Sequence, residues 1–239
     1  MNEDIYGALA RRLDELPQGF PSTESGVELR ILKKIFSPGE AGMALNMKPS
    51  PETAEDVAKR LGRPMEEMRE TLDQMARNGQ IGSFTVSGRQ MYKMIPFVVG
   101  IYEFQRDRLD KELAELFEEY MPLLVGKVGG HKPHLIRVIP VNVAVKSELE
   151  VHAYEDARRI VENGKSFRVQ YCICRREQAL LGNPCKHSTH NCLQVSKEEG
   201  AWDYFKLDGD LISKERALEI LLETEEEGLV HSTYNVADG

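Results

Sequence analysis

The 239-residue chain has no cysteine outside one short stretch, residues 172–192. Thiols that merely fill a core would be scattered along the sequence, so this confinement indicates a shared role. The chain also lacks any run approaching the roughly 18 consecutive apolar residues of a membrane-spanning helix. Its first residues lack the apolar core and cleavage signal of a secretory leader. We therefore expect a cytoplasmic protein with no membrane span, in which disulfides would be rare.

Several enzyme and nucleic-acid signatures are also missing. The Gly- and Lys-rich stretch 126–133 lacks the frame and the Lys-Ser/Thr ending of a phosphate-binding loop. No nucleophile–base pair or pair of carboxylates is singled out by its spacing. The net charge of −8 is unfavourable for a general binder of nucleic acid. These absences favour an electron carrier or a subunit of a redox complex over an enzyme.

Four cysteines lie in the stretch already named: Cys172, Cys174, Cys185 and Cys192. Four thiolates are the ligand number of a 4Fe–4S cluster and of a tetrahedral zinc site, and the paired C-x2-C knuckles of a zinc ribbon are absent. In an extended segment, Cys172 and Cys174 would lie on the same side and face one metal core. The Gly-Asn-Pro sequence at 182–184 predicts a turn that brings Cys185 back. We predict one 4Fe–4S cluster, with Zn²⁺ as the alternative and free or disulfide-bonded thiols as a third interpretation.

Basic side chains surround these cysteines. Arg175 and Arg176 directly follow Cys174, and His187 lies two residues after Cys185. Four thiolates around a zinc ion or an oxidised four-iron core leave a net charge of about −2. Cationic groups near the sulfurs would stabilise that charge and raise the potential of a cluster. We predict Arg175, Arg176 and His187 as neighbours of the metal centre; the alternative is that they are ordinary solvated side chains.

The segment CICRREQ…LGNPCKH…NCL, followed by SKERALEILLETEEEGLVHSTYN, resembles a family of iron–sulfur proteins from anaerobic bacteria and archaea. Members carry a winged-helix-like N-terminal region before this C-x-C-R…PC…CL segment. They usually continue into a ferredoxin-type module with C-x2-C-x2-C-x3-C-P motifs, and this chain contains no such run. The resemblance implies one 4Fe–4S cluster and electron transfer with a redox partner protein in an anaerobic redox system.

The first half predicts a winged-helix-like domain. Thr53 and Asp56 have the spacing of a capping box that opens one helix, and Pro64 starts a second. Two extended runs follow, joined by Ser87-Gly88, a pair suited to a tight hairpin turn. Helix–turn–helix and then a hairpin is the winged-helix order. The second helix carries more acidic than basic residues, so we do not expect it to bind DNA.

A long amphipathic helix is predicted over residues 101–125, either linking two halves or pairing with a second copy as a homodimer. The stretch that follows is the best boundary, which gives domains at 1–125 and 126–239. In the second domain we expect strands at 135–141 and 167–171, a helix at 154–163, and a last helix that begins after Ser213. This second domain would contain the cysteines in a loop.

The expected fold class is therefore α+β: a winged-helix N-terminal domain with a long helix, then a small α+β domain with a cysteine-rich metal loop. The expected function is electron transfer through one 4Fe–4S cluster. Two alternatives stay open. One is a transcriptional regulator that senses the state of its cluster, and the other is a zinc-stabilised protein-interaction module.

Overall fold

The fold is described from a computed structural model, which places residues 4–105, 107–129, 136–138, 157–202 and 209–234. The first half is mainly helical, in the order α1 (Ile5–Asp14), α2 (Val27–Ile35), α3 (Pro38–Leu45), α4 (Ala54–Leu61), α5 (Met65–Arg77), β1 (Gly82–Val86), β2 (Arg89–Lys93) and α6 (Lys111–Gly129). The second half alternates strands and helices, in the order β3 (Ile136–Val138), α7 (Ala157–Glu162), β4 (Ser166–Tyr171), α8 (Ile173–Leu180), β5 (His190–Ser196), β6 (Asp210–Ile212), α9 (Lys214–Glu226) and β7 (Ser232–Tyr234). The protein is a mixed helix-and-strand, α+β protein, as the sequence predicts.

Local sequence signals set the element boundaries in the first half. The capping box at the start of α4 is confirmed, since Asp56 N donates to Thr53 Oγ1 at 3.1 Å and Thr53 N donates to Asp56 Oδ2 at 3.3 Å. Gly62 ends that helix in the left-handed region, at φ 64°. Ser87 and Gly88 both have positive φ, at 49° and 74°, and they close the β1–β2 hairpin. Such a turn matches the right-handed twist of the strands it joins.

Aromatic side chains fill the centre of the first half. Phe97 is completely buried and lies 4.4 Å from Phe20 between ring centroids. Tyr102 stacks on Phe117 at 3.5 Å, and Tyr120 packs against both Phe20 and Phe97. Burying one large apolar side chain stabilises a fold by about 1.5–3 kcal/mol. This cluster therefore joins α6 and the turns before it to the helices at the start of the chain.

The long helix predicted over residues 101–125 begins later than expected. Short irregular turns precede α6, and Asp110 opens it by accepting a hydrogen bond from Leu113 N at 2.9 Å. The apolar side of α6 packs into the core of its own chain. Leu123 and Val125 are the large apolar side chains that stay exposed in the described part of the helix. A homodimer through this helix would therefore rely on its exposed residues, because the apolar stripe is already buried.

The second half is built on a three-stranded antiparallel sheet in the order β5-β4-β6, and β3 pairs with β7. Helices α7 and α9 cover one face of this sheet. Their small shared core consists of Ala157, Val161, Phe167, Ala217 and Leu221. No helix within the described ranges combines the length and the apolar character needed to cross a membrane.

Most predicted elements of this half are confirmed. The strand expected at 167–171 is β4, and α9 begins after Ser213, whose Oγ accepts a hydrogen bond from Arg216 N at 3.2 Å. The elements expected at 135–141 and 154–163 correspond to β3 and α7. Residues 135, 139–141 and 154–156 lie outside the described residues.

The stretch predicted as a cysteine-rich loop starts instead as helix α8. Ile173 is 5% exposed and belongs to the core of the first half, and Leu180 and Leu181 pack against the same core. Ile173 and Leu180 are seven residues apart, which places both on one face of a helix. Packing against the first half therefore orders α8. The contact also shows that the two halves touch, and the boundary expected at residue 126 falls inside α6.

Candidate metal centre

Cys172 and Cys174 lie where β4 passes into α8. Cys172 is the N-cap residue, with φ −70° and ψ 114°, and Cys174 lies in the first helical turn. Cys172 N donates to Thr189 O at 2.7 Å, and Arg176 N donates to Cys172 O at 3.1 Å. The prediction that Cys172 and Cys174 lie in one extended segment is therefore wrong, because a helix begins between them. The two side chains still lie close together, since hydrogen bonding from Cys174 is the main cause that lowers the pKa of Cys172.

The start of α8 favours a thiolate at Cys172. The pKa of Cys172 is lowered, first by the hydrogen bond from Cys174 and then by the backbone N–H and positive charge of Arg175, while burial opposes this. Backbone donors and the helix dipole at an N-terminus commonly have this effect on cysteine. The pKa of Cys174 is raised, chiefly because its thiol is the donor in the same hydrogen bond. A metal would displace the proton of Cys174, because the thiolate is the form that binds metals.

Cys192 reaches the same place from β5. The strand register pairs it with Gln170 of β4, and the register shifts between Gln170 and Tyr171, immediately before Cys172. Cys172 and Cys192 consequently line the wall of one cavity. The strand pairing is therefore the feature that brings two cysteines twenty residues apart in sequence to one side of the sheet.

Cys185 lies on the turn that joins α8 to β5. Gly182, at φ 89°, ends the helix, and Asn183 N donates to Gln178 O at 2.8 Å. The residues 182–189 are exposed. A turn is thus present at Gly182 and Asn183, and Cys185 follows it on the exposed stretch.

The four sulfurs are suited in kind to one metal centre. None of the four cysteines forms a disulfide. Within the described part of the chain, no three His, Cys, Asp or Glu side chains already form a group able to hold a metal ion. Four sulfur donors suit an iron–sulfur cluster or zinc. A shared centre would require the four cysteines to move closer together, with the exposed turn bringing in Cys185.

The three predicted neighbours of this site differ in their surroundings. Arg175 lies beside Cys172, since its charge favours the thiolate, and its Nη1 atom is buried without a hydrogen-bond partner. Arg176 is turned toward Asp107, at 3.9 Å, with a side chain 42% exposed. His187 Nδ1 lies 3.5 Å from a carboxylate oxygen of Glu227. Arg175 is therefore the one of the three whose charge acts on a cysteine in this geometry.

A buried carboxylate near the site was missed. Glu177 is 2% exposed, and burial raises its pKa to about 7, with the charge of Glu118 adding to the effect. The Tyr102 hydroxyl lies close enough to favour the ionised carboxylate, yet neither Tyr102 Oη nor Glu177 Oε1 makes a hydrogen bond of good geometry. The charge of Glu177 also contributes to the raised pKa of Cys174. In the sequence, Glu177 could have been noticed because it is the single acidic residue in the otherwise basic segment 166–193.

Comparison with protein-family models, curated proteins and solved structures gives no match to this chain. The interpretation of the site therefore depends on the chemistry of its own residues.

Proposed function

We propose that this protein holds one 4Fe–4S cluster through Cys172, Cys174, Cys185 and Cys192 and takes part in electron transfer. The observation that carries the proposal is the contact between Cys172 and Cys174 at the N-terminus of a helix, with Cys192 on the adjacent strand. A bound cluster of this type supplies one-electron chemistry. The partner would be a redox protein, and the setting an anaerobic cytoplasm.

The chain contributes charge stabilisation and placement to such a site. Backbone N–H groups at the start of α8 and the guanidinium of Arg175 favour negative charge at Cys172. Ile173 fixes the first turn of α8 in the core of the first half, so Cys172 and Cys174 are held by packing. Cys185 lies on an exposed turn, which Glu227 contacts through Ser188 N and His187. The geometry thus offers two ligands held by packing at the start of α8, a third on β5 and a fourth on the exposed turn.

Anaerobic purification tests this proposal directly. We expect brown protein with about four irons and four sulfides per chain, and an electron paramagnetic resonance signal that appears on reduction. Colourless protein with one zinc per chain would favour the zinc-stabilised interaction module instead. Protein that binds neither metal, when prepared under reducing conditions with iron and sulfide supplied, would contradict the proposal.

We further propose that α4, α5 and the β1–β2 hairpin form a winged helix. The order of these elements and the two-residue hairpin turn support this assignment. The exposed side of α5 includes Glu66, Glu67 and Glu70, which would face phosphates unfavourably in a DNA groove. A role in contacts with protein fits these charges better than a role in reading DNA.

One observation favours the second candidate, a regulator that senses its cluster. Ile173, which separates the two cysteines of the C-x-C pair, belongs to the same hydrophobic core as α4 and α5. A change at the cysteines would therefore act on packing in the first half. A salt-sensitive, sequence-selective shift of duplex DNA that depends on the state of the cluster would support the regulator over the electron carrier.

A further inference from the structure

A cavity of about 400 Å³ lies between the sheet and helices α7 and α9, against Cys172 and Cys192. Its walls include Ile160, Val195 and Ile220. The volume falls within the range of about 300–1,000 Å³ that is usual for small-molecule sites. Most of the lining is apolar, so the groups that would orient a ligand are the few polar side chains that reach the cavity.

Arg175 is the first of these polar side chains. It lines the cavity, and its Nη1 atom is buried without a hydrogen-bond partner. The nearby carboxylate of Glu227 is already engaged, because it accepts a hydrogen bond from Ser188 N at 2.9 Å and lies 3.5 Å from His187 Nδ1. A buried donor on a charged group is costly to leave unpaired. A guanidinium has five N–H donors, so Arg175 can favour the thiolate of Cys172 and still donate into the cavity.

His231 is the second. Its Nε2 atom lies 2.9 Å from Thr224 Oγ1, and the Thr224 hydroxyl itself donates to Ile220 O at 2.7 Å. Because that hydroxyl has a single proton, it must accept from Nε2–H, which leaves Nδ1 of the neutral imidazole with a lone pair. Nδ1 is buried without a partner, and His231 also lines the cavity. The imidazole therefore presents an unused acceptor.

We propose that this cavity binds a small organic anion with an apolar body, a carboxylate paired with Arg175, and a hydroxyl or N–H group that donates to His231 Nδ1. The two buried polar atoms without partners gain the hydrogen bonds that the chain does not provide, and the apolar walls accept the body of the ligand. The inference depends on the cavity and its lining, and it does not require a cluster at the cysteines. If a cluster is present, such a ligand would bind next to it.

The test uses the full chain, the methyl resonances of Ile160 and Ile220, and four flexible probes. Hexanoate should shift both resonances in a saturable manner, and its analogue with a terminal hydroxyl should bind more tightly. Hexanamide and hexanol, which lack the charge, should bind at least about tenfold more weakly than hexanoate, given the usual strength of charge-assisted hydrogen bonds. Ile31, fully buried in the other half, supplies a resonance that should not move.

Matched variants identify the residues responsible. Arg175→Gln should weaken hexanoate binding by about tenfold or more, whereas Arg176→Gln, at a neighbour that faces Asp107, should leave it unchanged. His231→Ala should remove the advantage of the hydroxylated probe and leave hexanoate itself nearly unaffected. The absence of saturable shifts at millimolar hexanoate, or equal losses in the two arginine variants, would overturn the proposal. Iron is measured in the same samples, so failure of this site and absence of a cluster are separate results.

Discussion

The two halves of the molecule are stabilised in different ways. The first half has a large continuous core, with Phe20, Phe97 and Tyr120 at 1% exposure or less. The second half, as far as it is described, has a core of four small and medium side chains and one aromatic ring, that of Phe167. Hydrophobic stabilisation grows by about 25 cal/mol for each Å² of buried apolar surface. The first half can therefore fold on its own packing, while the second has less to rely on.

Helix α8 connects the two halves. Its apolar side belongs to the core of the first half through Ile173, and its N-terminus holds Cys172 and Cys174. The turn that follows, residues 182–189, is exposed. One part of the cysteine segment is thus ordered by packing, and we expect a metal to order the other. Each variant below challenges one side of this contrast.

Replacement of Cys174 by Ser should have the largest effect. We expect loss of most bound iron, because one of four thiolate ligands is removed. Hydrogen exchange should then accelerate over residues 182–192, while α8 keeps its protection through Ile173. The first half should exchange as in the unchanged protein. Iron analysis and exchange measured by mass spectrometry on the same samples would show this pattern.

Lys186→Ala is the matched control for that variant, since Lys186 is exposed on the same turn and carries no thiol. It should retain the iron and the exchange pattern. If Cys174→Ser leaves residues 182–192 as protected as before, packing and not a metal holds the turn. The contrast between α8 and the turn would then be wrong.

Replacement of Phe97 by Ala should destabilise the first half by about 3–5 kcal/mol, the usual cost of removing a buried phenylalanine ring. Urea unfolding measures this change, and Leu123→Ala, at a side chain 42% exposed, should stay within about 0.5 kcal/mol of the unchanged protein. Protection of α8 should fall together with that of the first half, because Ile173 packs there. If the hydrogen-exchange protection of β4 and β5 falls by the same amount, both halves unfold as one unit.

The parts of the fold that sequence predicts well are those set by neighbours along the chain. The Thr53–Asp56 capping box and the Ser87-Gly88 turn follow from local chemistry, and both are present. The predicted start of the long helix at residue 101 was wrong. Apolar residues continue at helical spacing upstream of Asp110, but the chain there forms short irregular turns. Helix α8 was missed because its stability comes from packing against the core of the first half, which is distant in sequence and which no local pattern records.

The candidate site divides in the same way. The sequence alone shows that the four cysteines and the basic Arg175 lie in one segment. The buried state of Glu177 and the unpaired Nδ1 of His231 depend on which elements pack around them. Arg175 and Arg176 are indistinguishable in sequence, and helical geometry turns one toward Cys172 and the other toward Asp107.

Replacement of Glu177 by Gln tests whether this buried carboxyl, on the helix that joins the two halves, makes stability depend on pH. The folded protein raises the pKa of Glu177 from 4.5 to about 7, so it binds this proton more tightly than the unfolded chain does. The contribution of Glu177 to stability is therefore fully present below pH 4.5 and is lost as the pH rises through about 7. At about 1.4 kcal/mol per pKa unit, the loss is at most about 3.5 kcal/mol.

Glu177→Gln should remove this dependence, so the variant should exceed the unchanged protein in stability at pH 8 and match it near pH 4.5. Urea unfolding of metal-free protein across this range measures the difference. Glu70→Gln, at an exposed site on α5, should show no such trend. A difference that does not vary with pH would contradict a buried, proton-binding Glu177.

Replacement of His187 by Ala should have the smallest effect. His187 and Glu227 are both partly exposed, and their atoms lie 3.5 Å apart, a kind of contact that usually contributes less than about 1 kcal/mol. We expect unchanged iron content and slightly faster exchange on the turn. Glu227→Gln should loosen the turn somewhat more, since Glu227 also accepts the hydrogen bond from Ser188 N. If His187→Ala instead loses as much iron as is expected for Cys174→Ser, His187 is a ligand and the set of four thiolates is wrong.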